Sequence, residues 1–329
     1  MPIAVAGSIA TDHLMTFRGR FADSLLAEQL EKVSLSFLAS DLEIRRGGVG
    51  ANICFGMSLL GERPVLVGSA GADFADYRSW LERHGVDCAS VHISETAHTA
   101  RFVCTTDDDQ AQIATFYPGA MSEARDMEFG PVIERVGDLD LVLIGPDDPE
   151  AMLRHTDECR DRGIPFAADP SQQMAFMDGQ SIRRLIDGAT YLFTNEYESH
   201  LAIQKTGWSA EEIASRVTTR VITRGGDGCT VVTQGEEPIS VDVVAARRVA
   251  DPTGVGDAFR AGFLVGIVRG MGMKHCAQLG AVMATHVVES PVGPQEYADD
   301  LHGLRDRLAD AYGEVDAEVI AAHLPEGRV

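Results

Sequence analysis

The chain has 329 residues, of which 45% are hydrophobic, and its formal net charge at pH 7 is -22. This length and apolar content are enough for one large core, so we expect a single domain over residues 1–329. So acidic a surface repels polyanions, and neither nucleic acid nor an anionic membrane is expected as a partner. The same charge also repels phosphates, so a phosphate site would have to be built locally.

Six cysteines are scattered through the chain, and none belongs to a C-x-x-C pair. Free thiols in a reducing compartment are the usual outcome in a chain of this length. The N-terminus carries no basic segment followed by a long apolar stretch, and the sequence contains no run of eighteen apolar residues. We therefore expect a cytoplasmic protein.

Short apolar runs alternate with longer amphipathic segments along the chain. The apolar runs predict strands at residues 3–6, 64–67, 141–144, 165–168, 191–193 and 221–222. The amphipathic segments predict helices at residues 50–60, 73–84 and 149–161, and a mostly helical chain after about residue 255. Asp73 is expected to be the N-cap of its helix. Such alternation predicts an α/β fold with a mostly parallel central sheet and helices on both faces.

Two regions interrupt this alternation, at about residues 13–46 and 98–118. In the second region, two alternating apolar and polar stretches flank an acidic turn at residues 107–109, which predicts an antiparallel hairpin. We expect both regions to form a small β lid inserted into the α/β core. We interpret the acidic turn as solvent-exposed rather than as a metal cluster.

The segment from Asp251 to Asp257 is glycine-rich and opens a predicted helix. Glycines let successive N–H groups point at one spot, and a helix N-terminus adds free donors and partial positive charge, so the segment predicts an anion hole. A carboxylate at Asp257 would repel an anion, but it suits a base that takes a proton from an attacking hydroxyl. A simple helix cap is the alternative, and the loop alone favours neither. No Walker A motif occurs, and Phe259 stands where a dinucleotide fingerprint needs glycine.

Four other segments carry polar or glycine residues after predicted strands. They are Ser8 with Asp12, the run from Arg46 to Asn52, the run from Asn195 to Glu198, and the run from Thr223 to Gly228. Ligands bind at the carboxyl ends of strands in α/β sheets, which makes each a candidate contact. Taken singly, each is more often a turn or a helix cap.

Together these segments resemble the ribokinase (PfkB) family of carbohydrate and nucleoside kinases, from Ile3 to about Leu308. Pro252 and Val255 stand where the family more often has Thr and Ala, but backbone N–H groups do the binding there. The resemblance implies a ribokinase-like fold and transfer of the γ-phosphoryl group of ATP with Mg²⁺, with a monovalent cation such as K⁺ as an optional further cofactor. A homodimer formed through the lid is also implied.

The resemblance also implies roles for individual residues. Asp257 corresponds to the catalytic base and Gly254, Val255 and Gly256 to the anion hole. Ser8, Asp12, Gly48 and Asn52 correspond to the sugar contacts. Asn195, Thr223, Gly225 and Gly228 correspond to the ATP contacts, and Glu198 to a Mg²⁺ contact through water, since magnesium keeps several waters.

Residues 7–13, 93–102, 116–125 and 169–173 are similar to the mycobacterial-type adenosine kinases, which implies phosphorylation of the 5′-hydroxyl of adenosine to give AMP in purine salvage. Phe102 and Phe116 are expected to stack on the purine, and Gln172 and Gln173 to bond its edge. Ser36 is a weaker candidate contact from the other lid segment. Packing within the lid is the alternative for the two phenylalanines.

Three other classes of protein are alternatives to an adenosine kinase. A ribokinase-family kinase for another nucleoside or a free sugar, such as ribose or fructose, shares every core motif. A dinucleotide-dependent dehydrogenase needs G-x-G-x-x-G after the first strand, which this chain lacks. A catalytically inactive sugar-binding relative would not need the carboxylate of Asp257.

Overall fold

The computed structural model describes residues 2–24, 36–295 and 303–325. Its strands are β1 (Ile3–Ala6), β2 (Ala10–Phe17), β3 (Ala39–Gly47), β4 (Val65–Gly71), β5 (Val91–Ser94), β6 (Ala100–Thr106), β7 (Gln112–Tyr117), β8 (Leu141–Ile144), β9 (Phe166–Ala168), β10 (Tyr191–Asn195), β11 (Thr219–Thr223), β12 (Cys229–Thr233) and β13 (Ile239–Val241). Its α-helices are α1 (Phe21–Ser24), α2 (Val49–Leu59), α3 (Ala75–Arg83), α4 (Gly130–Val136), α5 (Pro149–Arg162), α6 (Gly179–Ile186), α7 (Glu196–Thr206), α8 (Ala210–Arg216), α9 (Val255–Val268), α10 (Met273–Glu289), α11 (Leu304–Tyr312) and α12 (Glu314–His323).

The larger sheet has nine strands among the described residues, in the order β13-β12-β11-β10-β9-β8-β1-β4-β5. Its strands are parallel from β11 to β5, whereas β12 and β13 are antiparallel at one edge. Residues 3–6 of β1 and 141–144 of β8 are buried throughout, as expected for strands covered on both faces. The predicted α/β fold with a mostly parallel sheet is confirmed.

Helices cover both faces of this sheet, and alternate residues of β1 show it. Ile3 and Val5 belong to one buried apolar cluster, which also contains residues of α2, α9 and α10 such as Phe263. Ala4 and Ala6 belong to a second cluster, which contains residues of α5 and α6. Since successive side chains of a strand point to opposite faces, the two clusters are the two halves of the core.

The smaller sheet has the strand order β3-β2-β6-β7. The predicted hairpin is confirmed, because β6 and β7 pair antiparallel. Strand β2 runs parallel to β6 and antiparallel to β3, and it starts at Ala10, earlier than the predicted lid boundary near residue 13. Residues 25–35 of the first lid region lie outside the described part of the chain.

One expectation about acidic residues is wrong, and a second is wrong for one residue of three. Asp73 does not cap the helix that follows it: α3 begins at Ala75, and Oδ1 of Asp73 accepts hydrogen bonds from N and Oγ1 of Thr99 at 2.8 and 2.7 Å. In the acidic turn, Asp108 and Asp109 are exposed as expected, but Asp107 is buried, and its carboxylate accepts from the backbone N–H groups of Phe21 and Ala111, each at 2.8 Å. Asp73 and Asp107 thus both bind backbone N–H groups in or beside the lid, Asp73 from an exposed position and Asp107 from a buried one.

Within the described residues, no helix is both long enough and apolar enough to cross a bilayer.

Candidate active site

The glycine-rich loop ends at the N-terminus of α9. Gly254 is the N-cap residue, in the left-handed region with φ 75°, and a Cβ atom there would lie 2.2 Å from Cβ of Pro294. Only glycine is tolerated at such a position. The first turn of α9 therefore starts with Val255, Gly256 and Asp257, where helix N–H groups lack partners within the helix. Val255 N–H also makes a long contact of 3.3 Å with the carbonyl of Pro252.

Asp257 does not cap α9, because no side chain caps this helix. Its Oδ2 atom instead accepts a hydrogen bond from Nδ2 of Asn52 on α2, at 2.8 Å. Burial raises the pKa of Asp257 from its ordinary value, and the hydrogen bond from Asn52 opposes that shift. A carboxylate with a raised pKa at the N-terminus of a helix is suited to accept a proton from a hydroxyl.

A cavity of about 670 Å³ extends from Asp257 across the carboxyl ends of the sheet strands. It is lined by residues predicted at the anion hole and at ATP, namely Val255, Gly256, Asn195, Glu198, Thr223, Gly225 and Gly228. The structure thus brings together residues from three separate segments that sequence analysis had assigned to one site.

One wall of the same cavity is apolar, and sequence analysis did not identify it. It consists of Val243, Val244, Val249, Ala281, Ala284 and Val288. These residues come from the stretch after β13 and from one side of α10, and they form no motif. An apolar slot beside an anion-binding loop is suited to the flat base of a nucleotide.

Asn195 and Glu198 hold each other at the start of α7. Asn195 Oδ1 accepts from Glu198 N–H at 2.7 Å, and Glu198 Oε2 accepts from Asn195 N–H at 2.8 Å, which is a capping box. Both residues also line the cavity. No group of three or more His, Cys, Asp or Glu side chains that could hold a metal occurs within the described residues. A single carboxylate is consistent with Mg²⁺ held mainly by phosphate and water.

Arg260 and Asp169 form a buried ion pair behind the anion hole, and sequence analysis missed it. Arg260 Nη2 donates to Asp169 Oδ1 at 2.6 Å, and its Nη1 donates to the carbonyl of Gly256 at 3.0 Å. Burial raises the pKa of Asp169 to about 6, and the charge of Arg260 opposes the shift. The only sequence signal was the place of Arg260 one helical turn after Gly256.

Ser8 and Gly48 fix the turn between β3 and α2. Ser8 Oγ accepts from Val49 N–H at 3.0 Å. Gly48 has φ 92°, and a Cβ atom there would lie 2.5 Å from the carbonyl oxygen of Ser8. A side chain at Gly47 would come within 3.1 Å of Oδ2 of Asp12. The glycine pair therefore allows the backbone to approach Ser8 and Asp12 closely.

Asp12, Phe102 and Phe116 are direct neighbours across β2, β6 and β7. Residues paired in this way share one face of a sheet, so the carboxylate and the two rings lie side by side. Phe116 is 51% exposed and Phe102 is partly buried, so about half of the Phe116 side chain is open to contact with a ligand. Burial raises the pKa of Asp12 to about 6, and Arg45 opposes this shift.

The remaining predicted contact residues, Gln173, Gln172 and Ser36, are not among those that line the cavity. Gln173 Nε2 donates to the carbonyl of Asp147 at 2.8 Å, which gives this side chain a structural partner. Gln172 is exposed and accepts from Ser171 Oγ at 2.8 Å. Ser36 is exposed at the start of the second described segment, so its contact stays a prediction.

The fold and this site are those of an α/β kinase of small molecules, with a glycine-rich helix N-terminus and the buried carboxylate of Asp257 beside it. Residues 9–295 match the model of the pfkB family of carbohydrate kinases, and the chain belongs to that family.

Nucleoside kinases and a ribokinase of other organisms are similar to this chain in sequence or structure. A nucleoside kinase of Methanocaldococcus jannaschii is 28% identical over 246 residues, which cover 74% of this chain and 79% of the relative. The structure of Burkholderia thailandensis nucleoside kinase in complex with inosine superposes with a TM-score of 0.81 at 37% identity, covering 94% of this chain and 98% of that one. A structure of Arabidopsis thaliana ribokinase with ribose and ATP superposes with a TM-score of 0.76 at 22% identity over 93% of this chain and 98% of that one. The ribokinase-like fold is confirmed.

Proposed function

We propose that this protein transfers the γ-phosphoryl group of ATP to the 5′-hydroxyl of adenosine, giving AMP and ADP. The observation that carries the proposal is the register of Asp12 with Phe102 and Phe116 on one face of the lid sheet. A carboxylate can accept from two ribose hydroxyls. Two aromatic rings beside it suit a base, and a free sugar has none to stack.

In the proposed reaction, the acceptor hydroxyl oxygen forms a bond to the γ-phosphorus while the bond from that phosphorus to the β-phosphate oxygen breaks. The hydroxyl proton passes to Asp257, and ADP leaves. The N–H groups at the start of α9 stabilise charge on the transferred group, and the glycines allow that group to come close. Asn52 keeps the carboxylate of Asp257 oriented through its 2.8 Å hydrogen bond.

The ATP base is assigned to the apolar wall of the cavity, and its phosphates to the end of the cavity at α9. Thr223, Gly225 and Gly228 also line the cavity, at the end of β11 and in the turn after it. Mg²⁺ bound with ATP would neutralise phosphate charge, and Glu198 with Asn195 would hold it through water. A monovalent cation such as K⁺ stays a prediction from the family resemblance.

A nucleoside acceptor is supported by the Burkholderia thailandensis nucleoside kinase, whose structure holds inosine, a purine nucleoside. The choice of adenosine rests on the resemblance to the mycobacterial-type adenosine kinases and on the Gln172–Gln173 pair. A location in the cytoplasm, a role in purine salvage and a homodimer formed through the lid belong to the same proposal.

The second candidate is phosphorylation of a free sugar such as ribose or fructose. It is favoured by the family of carbohydrate kinases and by the side chain of Gln173, whose amide is already bonded to the Asp147 carbonyl. In that case Phe102 and Phe116 would only pack within the lid and would contact no substrate.

The deciding experiment measures coupled-assay turnover with ATP and Mg²⁺ against adenosine, guanosine, inosine, ribose and fructose. A kcat/KM for adenosine far above the others supports the proposal, whereas a higher value for ribose or fructose supports the second candidate. The variant Phe116→Ala should raise the KM for adenosine about tenfold, since stacking contributes about 1–3 kcal/mol per base. Ile113→Ala is the matched control, because Ile113 is also exposed on β7 but points to the opposite face. Equal effects of the two variants would remove stacking from the explanation.

A further inference from the structure

The hydrogen bond between Asn52 and Asp257 is supported by a second residue from the other end of the chain. Gln295, which follows α10, donates from Nε2 to Oδ1 of Asn52 at 2.8 Å, although the two residues are 243 positions apart. The same nitrogen donates to the hydroxyl of Tyr77 on α3. Tyr77 in turn donates to the carbonyl of Gly47 at 2.9 Å.

The direction of every bond in this network follows from the charge of Asp257. A carboxylate base can only accept, so Asn52 must present its amide nitrogen to Asp257 and its amide oxygen to Gln295. Gln295 must then present its nitrogen, which has two hydrogens for two acceptors. The Tyr77 hydroxyl accepts one of them and keeps its own hydrogen for the carbonyl of Gly47. No hydrogen bond in this network can be reversed without placing an acceptor against an acceptor.

The network is shielded from water. Gln295 is 1% exposed, Tyr77 5% and Asn52 7%. A hydrogen bond is stronger in such a low-dielectric interior, and a group that loses its partner there is costly. Burial therefore makes the orientation of the Asn52 amide depend on its protein partners. The Oε1 atom of Gln295 has no hydrogen-bond partner within the part of the chain that the structure describes, so the residue acts here only as a donor.

We propose that Gln295 and Tyr77 are positioning residues that hold the Asn52 amide in the orientation that orders the catalytic base Asp257. The inference rests on the proposed phosphoryl transfer. Without the donor from Gln295, the buried oxygen of the Asn52 amide lacks a partner, so the amide holds its nitrogen less firmly against the carboxylate. Tyr77 extends the same support to Gly47, whose lack of a side chain makes room for Asp12. The network thus connects the acceptor side of the site with the base.

The test replaces Gln295 by Met, which has nearly the same size but cannot donate. Gln295→Met should lower kcat about tenfold while the KM for ATP changes little. It should also move the acid limb of the kcat–pH profile to higher pH, because Asp257 loses the donor that favours its ionised form. Tyr77→Phe should produce the same changes to a smaller extent. It serves as the second variant should Gln295→Met fold poorly.

Gln278→Met is the matched control. Gln278 on α10 is 2% exposed and donates to Asp316 on α12 at 2.7 Å, so it is a buried donor outside the network of Asn52, Gln295 and Tyr77. The variant Gln278→Met should lower thermal stability without moving the kcat–pH profile. A profile that shifts equally in this control would assign the effect to general loss of packing.

A double-mutant cycle completes the test. If Gln295 acts through Asn52, then Gln295→Met should cost little further activity in an Asn52→Ala background. Equal losses in both backgrounds, or an unchanged pH profile in Gln295→Met, would reject the positioning role. Wild-type protein that turns over none of the five acceptors would instead reject the proposed function, so the two failures are distinguishable.

Discussion

Arg45 on β3 donates a hydrogen bond from Nη1 to Oδ2 of Asp251 over 2.6 Å, and so joins the lid sheet to the loop that leads into the anion hole. The side chains of the pair are only 15% and 20% exposed. Arg45 Nη2 also lies 3.3 Å from the carbonyl of Pro291. One lid side chain thus contacts two segments, the loop before α9 and the stretch after α10.

We expect Arg45→Ala to lower kcat/KM for the acceptor about tenfold, because the lid loses its charged contact with the loop. A double-mutant cycle with Asp251→Asn should give a coupling energy of about 1–2 kcal/mol, in the range of partly buried charge-assisted bonds. Arg20→Ala is the control: Arg20 pairs with Asp109 at 2.6 Å, but both side chains are about half exposed, at 55% and 52%. Exposed pairs contribute little, so its effect should be small. A coupling energy near zero would show that the lid and the loop are not linked through Arg45.

Asp257→Asn should lower kcat by about 10² or more, because an amide cannot take the hydroxyl proton. Folding and nucleoside binding should be largely retained, since Asn is nearly the same size. The measurement combines steady-state kcat with the dissociation constant for adenosine. Turnover close to that of the wild type would remove Asp257 from the mechanism.

Binding of the acceptor should weaken at acid pH through Asp12. Its pKa is raised to about 6 by burial, and only the ionised carboxylate accepts from two hydroxyls at once. As pH falls below about 6, the KM for the acceptor should rise by up to about tenfold per pH unit, with a weaker effect on the KM for ATP. Calorimetric titration with adenosine between about pH 5 and 8 measures this. In Asp12→Asn, affinity should be low and independent of pH over the same range, and a retained pH dependence would assign the titration to another group.

Asp147 should make the fold less stable as pH rises. It is 2% exposed, and burial raises the pKa of its carboxyl to about 8. This pKa is raised from the ordinary value of 3.8, so folding favours the neutral carboxyl. Its contribution to the stability of the fold is complete below about pH 4 and is lost as pH rises to about 8. In Asp147→Asn the side chain cannot ionise, but its oxygen can still accept from Asp148 N–H. In the wild type that N–H lies 2.8 Å from Oδ1 of Asp147.

The free energy of unfolding of Asp147→Asn, relative to the wild type, should therefore increase by at least about 1 kcal/mol between pH 5 and pH 8. Urea unfolding at both pH values gives the comparison. Asp310→Asn, on the exposed side of α11, is the control and should show no such increase. Parallel curves for wild type and Asp147→Asn would mean that this carboxyl titrates near its ordinary pKa.

The outer face of the lid sheet, opposite Asp12 and Phe116, exposes Leu42, Ile44 and Ile113 by 58%, 58% and 46%. We expect a second copy of the chain to cover these side chains in a homodimer. Ile44→Lys should then shift sedimentation from dimer to monomer, because it places a charge in an apolar contact. Val315→Lys, at a residue 75% exposed on α12, should leave the dimer intact. A monomeric wild-type protein would contradict the expected dimer.

The amino-acid sequence alone determined the fold class and indicated a kinase of the ribokinase family. Apolar runs such as residues 141–144 predict buried parallel strands, because their periodicity and length are local properties. The alternation around residues 98–118 predicts the hairpin for the same reason. Gly254 and Asp257 could be located because a glycine before a helix and a carboxylate within its first turn are visible within one short segment, whereas the roles proposed for them came from the family resemblance.

The tertiary structure alone decided which residues support that chemistry. The pairs Asn52–Asp257, Arg260–Asp169 and Arg45–Asp251 join residues that are 205, 91 and 206 positions apart. Nothing in the local pattern of either partner encodes such a contact, because it depends on how whole helices and strands pack. The same holds for the apolar wall of the cavity and for Gln295. Asp73 and Asp107 were misassigned for this reason too, because their partners Thr99 and Phe21 are 26 and 86 positions away along the chain.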